Sequence, residues 1–354
     1  DLHRRRHSFP TRRSSDLVRA SLTHSKNEWI MPNTGFERMT AALSVSQKVS
    51  EKLKFVAKVN YTNKSSDNLP ATGYNNQSIA YFMIFQNPNV DLSWYRPIWK
   101  KGQEQIDQVH PFSSFIDNPY LIAYEMTNGV KSNAFLANMA ATYTINKKFD
   151  LMLRSGIDLS SEIRKQQRPY SSANYLRGFY KEQNIQDYEI NSDFLLSYKD
   201  KIGSDINVTA SIGGNAMSTN YNRMDASVIG LVIPGVYMLS NGVGTPEVVN
   251  IARNKKVNSL YGTASFAYKN KWFVDVTGRN DWSSTLPVQN NSFFYPSINT
   301  SVILSDILQL PAAVSFAKFR LSAAQVGNDT DPYKTSKYYG TSPFPGSGSV
   351  PTLL

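Results

Sequence analysis

Two short motifs carry the residue types that serine nucleophile sites use. Ser315-Phe316-Ala317-Lys318 matches SxxK, and Ser66-Asp67-Asn68 matches SDN, a pair found in penicillin-recognising serine enzymes. In those enzymes the SxxK serine precedes the SDN element and opens a helix. Here the order is reversed and Ser315 lies in a strand-like pattern. The arrangement therefore argues against a serine nucleophile.

Metal and cofactor chemistry has no better support in the sequence. The chain has 354 residues and no cysteine, which excludes disulfides and thiolate metal sites and leaves the redox compartment open. His24 and His110 lie far apart without ligand-spaced partners. No P-loop and no strand–GxGxxG–helix unit is present. The sequence thus predicts a protein that is not an enzyme and that has no cofactor and no metal.

The first seventeen residues stand apart from the rest. His7 to Leu17 reads like the translation of a common short-read sequencing adapter, so we predict that residues 1–17 are an artefact. The alternatives are a basic arm that binds nucleic acid or a targeting peptide. No apolar stretch follows to complete a signal peptide, and no nucleic-acid partner is expected.

The elements that must position any site are long strands. From Phe149 to Arg164 the odd positions are mostly apolar and the even positions mostly polar or charged. Successive side chains of a strand point to opposite faces, so one face is apolar and the other charged. An ordinary strand has about five or six residues. Similar alternation recurs along the chain and predicts roughly eleven strands.

The connections predict an up-and-down sheet. Tight turns are expected at residues 50–52, 146–148, 199–204 and 269–271, and long segments at 65–132, 165–186, 218–256 and 284–292. Strict alternation of short and long connections puts all long loops at one end, as in outer-membrane barrels. The longest loop should contain a short helix over Gln77–Phe85. No apolar run of about eighteen residues exists to form a transmembrane helix, and negative mean hydropathy is compatible with a barrel.

Two groups of residues are candidates for solute or partner contacts. The first consists of charged side chains on the predicted lumen face: Lys54, Lys58, Arg154, Asp158, Glu162, Asp275 and Arg279. Such charges usually solvate and link a barrel interior. The second consists of aromatic residues, of which the first five lie in the longest predicted loop: Tyr74, Tyr81, Trp94, Tyr95, Trp99 and Trp282. Aromatic rings of this kind could stack on sugars or anchor a partner protein, or they could pack the loop onto itself.

Several motifs, taken in order, resemble one known family. Leu260–Trp272 reads LYGTASFAYKNKW, Gly278–Pro287 reads GRNDWSSTLP, and Phe319–Asn328 reads FRLSAAQVGN. Together with Tyr295-Pro296-Ser297, they resemble the barrel of SusC/RagA-type TonB-linked outer-membrane receptors. Trp99-Lys100-Lys101-Gly102 and Asn118-Pro119-Tyr120 are similar to an external loop of that family. The resemblance covers about 18–340 and is most specific after Ser259.

The resemblance implies an all-β fold: an antiparallel up-and-down transmembrane barrel, of which about half of roughly 22 strands is expected here. Residues 18–340 would form the partial barrel without the plug domain, and 341–354 a truncated loop. The family imports nutrients, mostly glycan or peptide fragments, across the outer membrane of Gram-negative, Bacteroidetes-type bacteria. A SusD-type surface lipoprotein and the TonB–ExbB–ExbD complex are the implied partners, with outer-membrane lipid around the barrel.

Two other functional classes remain open at this point. A soluble or surface-exposed all-β carbohydrate-binding protein or adhesin would also show alternation, because one face of a two-layer sandwich is buried. It would not require strands this long. A β-rich hydrolase lacks a convincing acid–base or nucleophile constellation.

Overall fold

A computed structural model describes residues 16–73, 77–111, 115–311 and 313–335, together with the backbone of two short strands near the C-terminal end. Eleven strands form one antiparallel sheet in which each strand pairs with its neighbours in the chain. They are β1 (Leu17–Glu28), β2 (Gly35–Lys48), β3 (Leu53–Ser66), β4 (Asn128–Thr144), β5 (Phe149–Ser172), β6 (Tyr175–Ile202), β7 (Ile206–Ile229), β8 (Glu247–Tyr268), β9 (Trp272–Ser283), β10 (Ser292–Ile303) and β11 (Lys318–Ala324). The predicted all-β, up-and-down architecture and the strand number are confirmed.

A separate hairpin lies after the sheet. It consists of β12 (Tyr339–Phe344) and β13 (Gly348–Leu353), which pair with each other. The predicted terminal loop therefore contains two short strands. At the other end, β1 begins at Leu17, the last residue of the predicted adapter stretch, whereas residues 1–15 of that stretch lie outside the described residues.

The long alternating strands place apolar side chains on one exposed face of the sheet. Pairing in β5 sets Leu153 beside Phe194 of β6 and Ala141 of β4, so the apolar positions of neighbouring strands share a face. We call this face the apolar belt. Its members include Met39, Leu43, Phe135, Met139, Leu153, Leu159, Ile190, Phe194, Ile212, Leu260, Phe266, Val276, Ile298 and Leu321, each between 37% and 62% exposed. A soluble fold does not leave so large an apolar surface in water, whereas the outside of a membrane barrel requires one.

Aromatic residues mark the tight-turn end of the apolar belt. Tyr143, Tyr268 and Trp272 lie at strand ends on this face and are 44%, 45% and 50% exposed. Amphipathic rings of this kind favour the headgroup boundary of a bilayer. Their position agrees with an aromatic girdle.

The predicted tight turns are confirmed, although β6 continues to Ile202 and its turn spans only 203–205, whereas two predicted long loops are largely strand. The 165–186 segment belongs to β5 and β6, which continue to Ser172 and restart at Tyr175. Much of the 218–256 segment likewise extends β7 and β8, which leaves 230–246 as the connection. These extensions lie beyond the apolar belt, where water wets both faces. They show no apolar–polar alternation, so the sequence pattern does not reveal them.

Strict alternation of short and long connections was also wrong. The β1–β2 connection spans only 29–34, and β5 joins β6 through Ala173 and Asn174, both at the end that carries the long loops. Conversely, the β10–β11 connection at the opposite end spans 304–317. That connection contains Ser315, which precedes β11 and is not in a strand. Ser66 ends β3, eight strands away in the sheet, so the SxxK and SDN motifs do not meet.

Helical structure is confined to connections. The predicted helix is confirmed as α1 (Ile79–Phe85), and a second helix, α2 (Pro119–Tyr124), was not predicted. Short 3-10 turns occupy Leu92–Tyr95, Leu239–Asn241, Val288–Asn290 and Leu304–Asp306. Among the helices of the described ranges, none is long and apolar enough to cross a membrane.

Two adjacent glycines of β7 accept aromatic rings on opposite faces. A Cβ on Gly213 would lie 2.5 Å from Cζ of Tyr261 and 2.7 Å from the carbonyl oxygen of Phe194. A Cβ on Gly214 would lie 2.6 Å from Cε1 of Phe194. Glycine at both positions therefore permits close approach of rings to the strand, as expected for glycine inside a strand. At Gly262 the nearest atom would be 3.6 Å away, an ordinary contact.

The glycine contacts give a first testable prediction. In the complete protein, Gly213→Ala should destabilise the barrel by about 1–3 kcal/mol, because the new methyl group forces Tyr261 or the backbone to move. Gly262→Ala, in the neighbouring strand, is the matched control and should change stability little. The temperature at which each variant loses the compact, heat-modifiable band on gels would measure the stability of both variants. Equal stability of the two variants would contradict the packing described here.

Candidate functional site: the polar face and its external loop

The face opposite the apolar belt carries the charged residues, and we call it the polar face. The strand register places all seven predicted lumen residues on it. Arg154 pairs with Asp193, whereas its neighbour Leu153 points to the belt. Lys58 and Asp275 reach the same face through the registers of β3–β4–β5 and β7–β8–β9. The predicted division of each strand into two faces thus agrees with the structure.

Several charges on the polar face form ion pairs, among them three of the seven predicted lumen residues, Arg154, Glu162 and Arg279. Nη2 of Arg154 lies 2.7 Å from Oδ2 of Asp193, whose side chain is only 5% exposed. Nε of Arg279 donates to Oδ1 of Asp281 at 2.7 Å, and its Nη2 donates to Oγ of Ser259 at 2.8 Å. Glu162 contacts Arg164. Within each of these pairs the opposite charges compensate each other, so the paired groups act mainly as hydrogen-bonding groups.

A cavity of about 470 Å³ lies on the polar face where the chain leaves β11. Oδ1 of Asp329 accepts from Nζ of Lys255 at 2.6 Å, and Oδ2 accepts from Oγ of Ser283 at 2.5 Å. These bonds hold the segment after β11 against β8 and β9. The cavity is lined by polar and aromatic side chains that include Arg279, Asp281, Asn191, Asn215, Phe293 and Tyr295. Sequence reasoning identified only Arg279 of this group, because the polar face contains many polar side chains and the cavity forms only where the segment after β11 folds back onto it.

The external loop between β3 and β4, residues 67–127, is a packed module with its own core. Phe82, Tyr95, Ile116, Leu121, Ile122 and Met126 form this core, and each is at most 5% exposed. The ring of Tyr95 meets that of Phe82 edge-on at 5.7 Å, and burial raises the pKa of the Tyr95 hydroxyl. Trp99 packs against the core, and the ring centroid of Tyr81 lies 4.9 Å from that of Phe85. Three of the predicted contact aromatics therefore pack the loop onto itself.

The other aromatic candidates have different surroundings. Trp94 is 65% exposed on the loop. Trp282 is 41% exposed and shares a face with Trp272 and Val276, which places it on the belt side of β9 and away from the polar face. Tyr74 lies outside the described residues. Among the predicted loop aromatics that the structure describes, Trp94 is the one that is exposed, and a ring of a ligand could stack on it.

Arg168 anchors the loop module to the β5–β6 hairpin. Its side chain is buried, and its guanidinium donates five hydrogen bonds to four acceptor atoms. Nε and Nη2 donate to Oε1 of Gln77 at 3.0 and 2.7 Å, and Nη2 also donates to Oδ1 of Asn128 at 2.7 Å. Nη1 donates to the carbonyl oxygens of Thr127, at 3.1 Å, and Gln167. Because all acceptors are uncharged, Arg168 acts as a hydrogen-bonding clamp without an ion pair.

The two ends of the loop module are tied to each other. The backbone nitrogen of Leu69 donates to the carbonyl oxygen of Asn128 at 2.8 Å. The backbone nitrogen of Asn128 donates to Oδ1 of Asn68 at 3.0 Å, and Nδ2 of Asn128 donates back to the carbonyl oxygen of Leu69 at 3.2 Å. The first and last residues of the module therefore lie side by side, where β3 ends and β4 begins.

A second contact joins the module to the tip of the β5–β6 hairpin. Oδ1 of Asp117 accepts from Nε2 of Gln108 and from the backbone nitrogen of Ala173, both at 2.8 Å. Oδ2 of Asp117 is buried and has no hydrogen-bond partner. Nδ2 of Asn118 donates to the carbonyl oxygens of Tyr95 and Val109, each at 2.9 Å. Burial raises the pKa of Asp117 despite its two hydrogen bonds.

The raised pKa of Asp117 predicts that mildly acidic pH stabilises the contact between the loop module and the β5–β6 hairpin. The folded state binds the Asp117 proton more strongly than the unfolded state does, so stability increases as pH falls from the raised pKa towards the ordinary value of about 3.9. Asp107 contributes the opposite effect in a lower window. Its hydrogen bond to Lys100 lowers its pKa, and its stabilisation is lost only as pH falls below the ordinary value.

Asp117→Asn should abolish this acid effect and should slow opening of the loop at neutral pH, since it removes a buried charge and keeps the oxygen acceptor. Asp117→Ala should speed opening, because Gln108 and Ala173 lose their acceptor. Hydrogen–deuterium exchange of 108–124, compared between wild type and variants at each pH, would measure both effects. Faster opening of both variants would contradict the assigned cost of the buried carboxylate.

Comparison with known proteins supports this architecture. The chain is 26% identical over 327 residues to "TonB-dependent receptor P26" of Formosa agariphila, which covers 89% of this chain and 32% of that relative. In fold it matches the RagAB peptide transporter, with a TM-score of 0.76, 17% identity, and coverage of 96% of this chain and 38% of that one. A chain of the FpvAI–pyocin S2 complex matches with a TM-score of 0.53 at 8% identity, over 81% of this chain and 37% of that chain.

These matches agree with one another on fold. The chain spans about a third of the length of the curated relative. No protein-family model matches it. One of the similar proteins is named as a receptor and one as a transporter, and none of those described above is named as an enzyme. The predicted resemblance and the predicted barrel fold are thereby confirmed.

Proposed function

We propose that this chain is a segment of the outer-membrane β-barrel of a TonB-dependent receptor, and that the complete protein imports a nutrient across the outer membrane. One observation carries the proposal: eleven successive strands separate an exposed apolar belt from a charged polar face. Such a sheet can line a solute path on one side and contact lipid on the other. The role of this segment would be to form the wall and external mouth of that path, without catalysis.

We propose oligosaccharide or peptide fragments as the transported solutes. The polar face offers paired charges, amides and aromatic rings, and this combination binds both classes. The structural relative RagAB is named a peptide transporter, which favours peptides, while the SusC-type resemblance also includes glycans. Arg279 at the cavity and exposed Trp94 on the loop are the residues that we expect to contact the solute.

The proposed partners follow from the same resemblance. A SusD-type surface lipoprotein would cover the external mouth, where the loop module and the β5–β6 hairpin project beyond the belt. TonB, ExbB and ExbD would supply energy through the plug domain of the complete receptor. A soluble all-β binding protein is disfavoured, because it would have to expose the whole apolar belt to water.

Uptake measurements in the native host would test this proposal. A strain without the complete receptor should lose uptake of fluorescently labelled fragments from one class, glycan or peptide, and a protonophore should abolish the same uptake in the wild type. If removing the receptor leaves uptake of both classes unchanged, the proposed function is wrong.

A further inference from the structure

The polar face of β1, β2 and β3 carries positive charge and no negative charge. The strand registers place six cations on this face, and we call them the cationic strip: Arg19, Arg38, Lys48, Lys54, Lys58 and Lys64. The acidic residues of these three strands, Glu28 and Glu37, lie on the belt side by the same registers. The strip therefore differs from the polar face of later strands, where cations and carboxylates are mixed.

The strip has two cations at each of three levels along the strands: Lys48 with Lys54, Arg19 with Lys58, and Arg38 with Lys64. The lowest and the highest pair are direct cross-strand neighbours, and like charges in that position destabilise a sheet. At a rise of about 3.4 Å per residue, the strip extends about 34 Å along β3. It therefore runs from the turn before β3 to the external end of that strand.

The charge of the two upper levels is not neutralised within the sheet. At the lowest level, Nζ of Lys48 lies 2.6 Å from Oε2 of Glu51, and Oδ1 of Asp16 accepts from the backbone nitrogen of Lys48. The ion pairs of the described residues include none of the four upper cations. Nζ of Lys64 lies 5.0 Å from the ring centroid of Phe36, and the other three are exposed. These side chains are therefore available to an anion from outside the sheet.

Unpaired negative charge lies on the other side of β4. The polar face of β4 has no charged side chain. Beyond it, Asp158 and Glu189 are direct cross-strand neighbours, and Asp187 follows on the same face of β6. All three are exposed, and they take part in no ion pair within the described ranges. A solute with several negative charges is therefore repelled from β5 and β6 and attracted to the strip.

We propose that the cationic strip binds and guides an oligomeric solute that carries several carboxylate or sulfate groups. This inference rests on the proposed import function and specifies the charge of the imported solute. The levels lie about 14–20 Å apart along β3, so acidic groups of one oligomer can contact two levels in turn. A cleft lined by charge of one sign also raises the local concentration of the opposite ion. Acidic glycans and acidic peptides share this chemistry.

Binding to the purified complete receptor would test the strip with probes that differ in charge. The first pair is the hexamer of galacturonic acid and its methyl ester. The second is a hexapeptide of alternating glutamate and glycine and its glutamine analogue, and all four carry a fluorescent label for anisotropy measurements. One acidic probe should bind about tenfold more tightly than its neutral analogue, and its affinity should fall as the salt concentration rises. Which pair shows the difference identifies the source.

Arg38→Gln with Lys58→Gln should weaken binding of the preferred acidic probe about tenfold, as expected for two exposed charge contacts. Binding of the neutral analogue should stay the same. Lys26→Gln with Lys131→Gln is the matched control, because it removes two exposed cations from the belt side of β1 and β4. The control variant should bind all four probes as the wild type does.

Equal binding of the acidic and neutral probes, or binding of none of them, would overturn the proposal. Import itself is tested separately, because a strain without the receptor would still lose uptake if only the charge has been assigned incorrectly. Unchanged binding by the strip variant would also contradict the proposal. If that variant instead lowers the melting temperature of the receptor without solute, the strip holds the plug domain and the proposal is wrong.

Discussion

The complete receptor with the substitution Leu153→Arg should fail to accumulate as an assembled barrel in the outer membrane. Leu153 is 54% exposed in the middle of the apolar belt. An arginine at the bilayer midplane of a barrel costs about 2–4 kcal/mol. That cost is a large fraction of the stability of most proteins. We expect the heat-modifiable folded form to decrease strongly in outer-membrane fractions, with the remaining protein degraded or aggregated.

Ser160→Arg is the matched control for this substitution. Ser160 lies on the same strand but on the polar face, where its cross-strand neighbour is Asp187. The new guanidinium would gain a carboxylate partner in a hydrated environment, so assembly should remain near the wild-type level. If both arginine variants assemble equally well, the two faces have been assigned incorrectly. If only Ser160→Arg fails, the faces are reversed.

Arg168→Met should release the external loop module from the hairpin. The substitution keeps much of the buried volume and removes every hydrogen bond of the guanidinium. Hydrogen bonds that involve a charged group contribute about 1.5–3 kcal/mol each and are not additive. A loss of at least about 3 kcal/mol corresponds to about a hundredfold more frequent opening. Limited proteolysis of the complete receptor should therefore cut within 77–127 much faster.

Lys165→Met provides the comparison, because it removes a cation three residues earlier on the same strand. Nζ of Lys165 lies 3.3 Å from Oε1 of Glu182, and both side chains are substantially exposed. Because water screens such a pair, it contributes only about 0–1 kcal/mol to stability. Proteolysis of Lys165→Met should match the wild type. An Arg168→Met variant that resists protease as well as the wild type would show that the module core holds the loop without the clamp.

The membrane-facing part of the fold could be predicted from sequence because lipid imposes a strict rule on each strand. Every second side chain from Phe149 to Ile163 must be compatible with lipid or pack against an adjacent side chain. This periodicity is visible in the sequence. The same rule assigns Trp282 to the belt side, because it shares parity with Trp272 and Val276. That signal was present in the sequence, although Trp282 was predicted to contact substrate or a partner.

The external structure could not be predicted from the same pattern. Beyond the belt, water surrounds both faces of β5 and β6, so no period distinguishes strand from loop there. The loop module depends on long-range hydrogen bonds, such as the one between Gln77 and Arg168, which are 91 positions apart. A single arginine in a polar stretch carries no local sign that it will be buried. The same holds for Asp117, whose environment is formed by the tip of another hairpin.

The clasp between Asn68, Leu69 and Asn128 has a consequence for how such receptors can diversify. Because the two ends of the module are joined at the rim, the chain between them can be replaced by a segment of another length while β3 and β4 keep their register. Recombination at these two points would replace the whole loop module in one event. The clasp thus separates the sheet, whose strands the bilayer constrains, from a loop module whose length and sequence the sheet does not constrain.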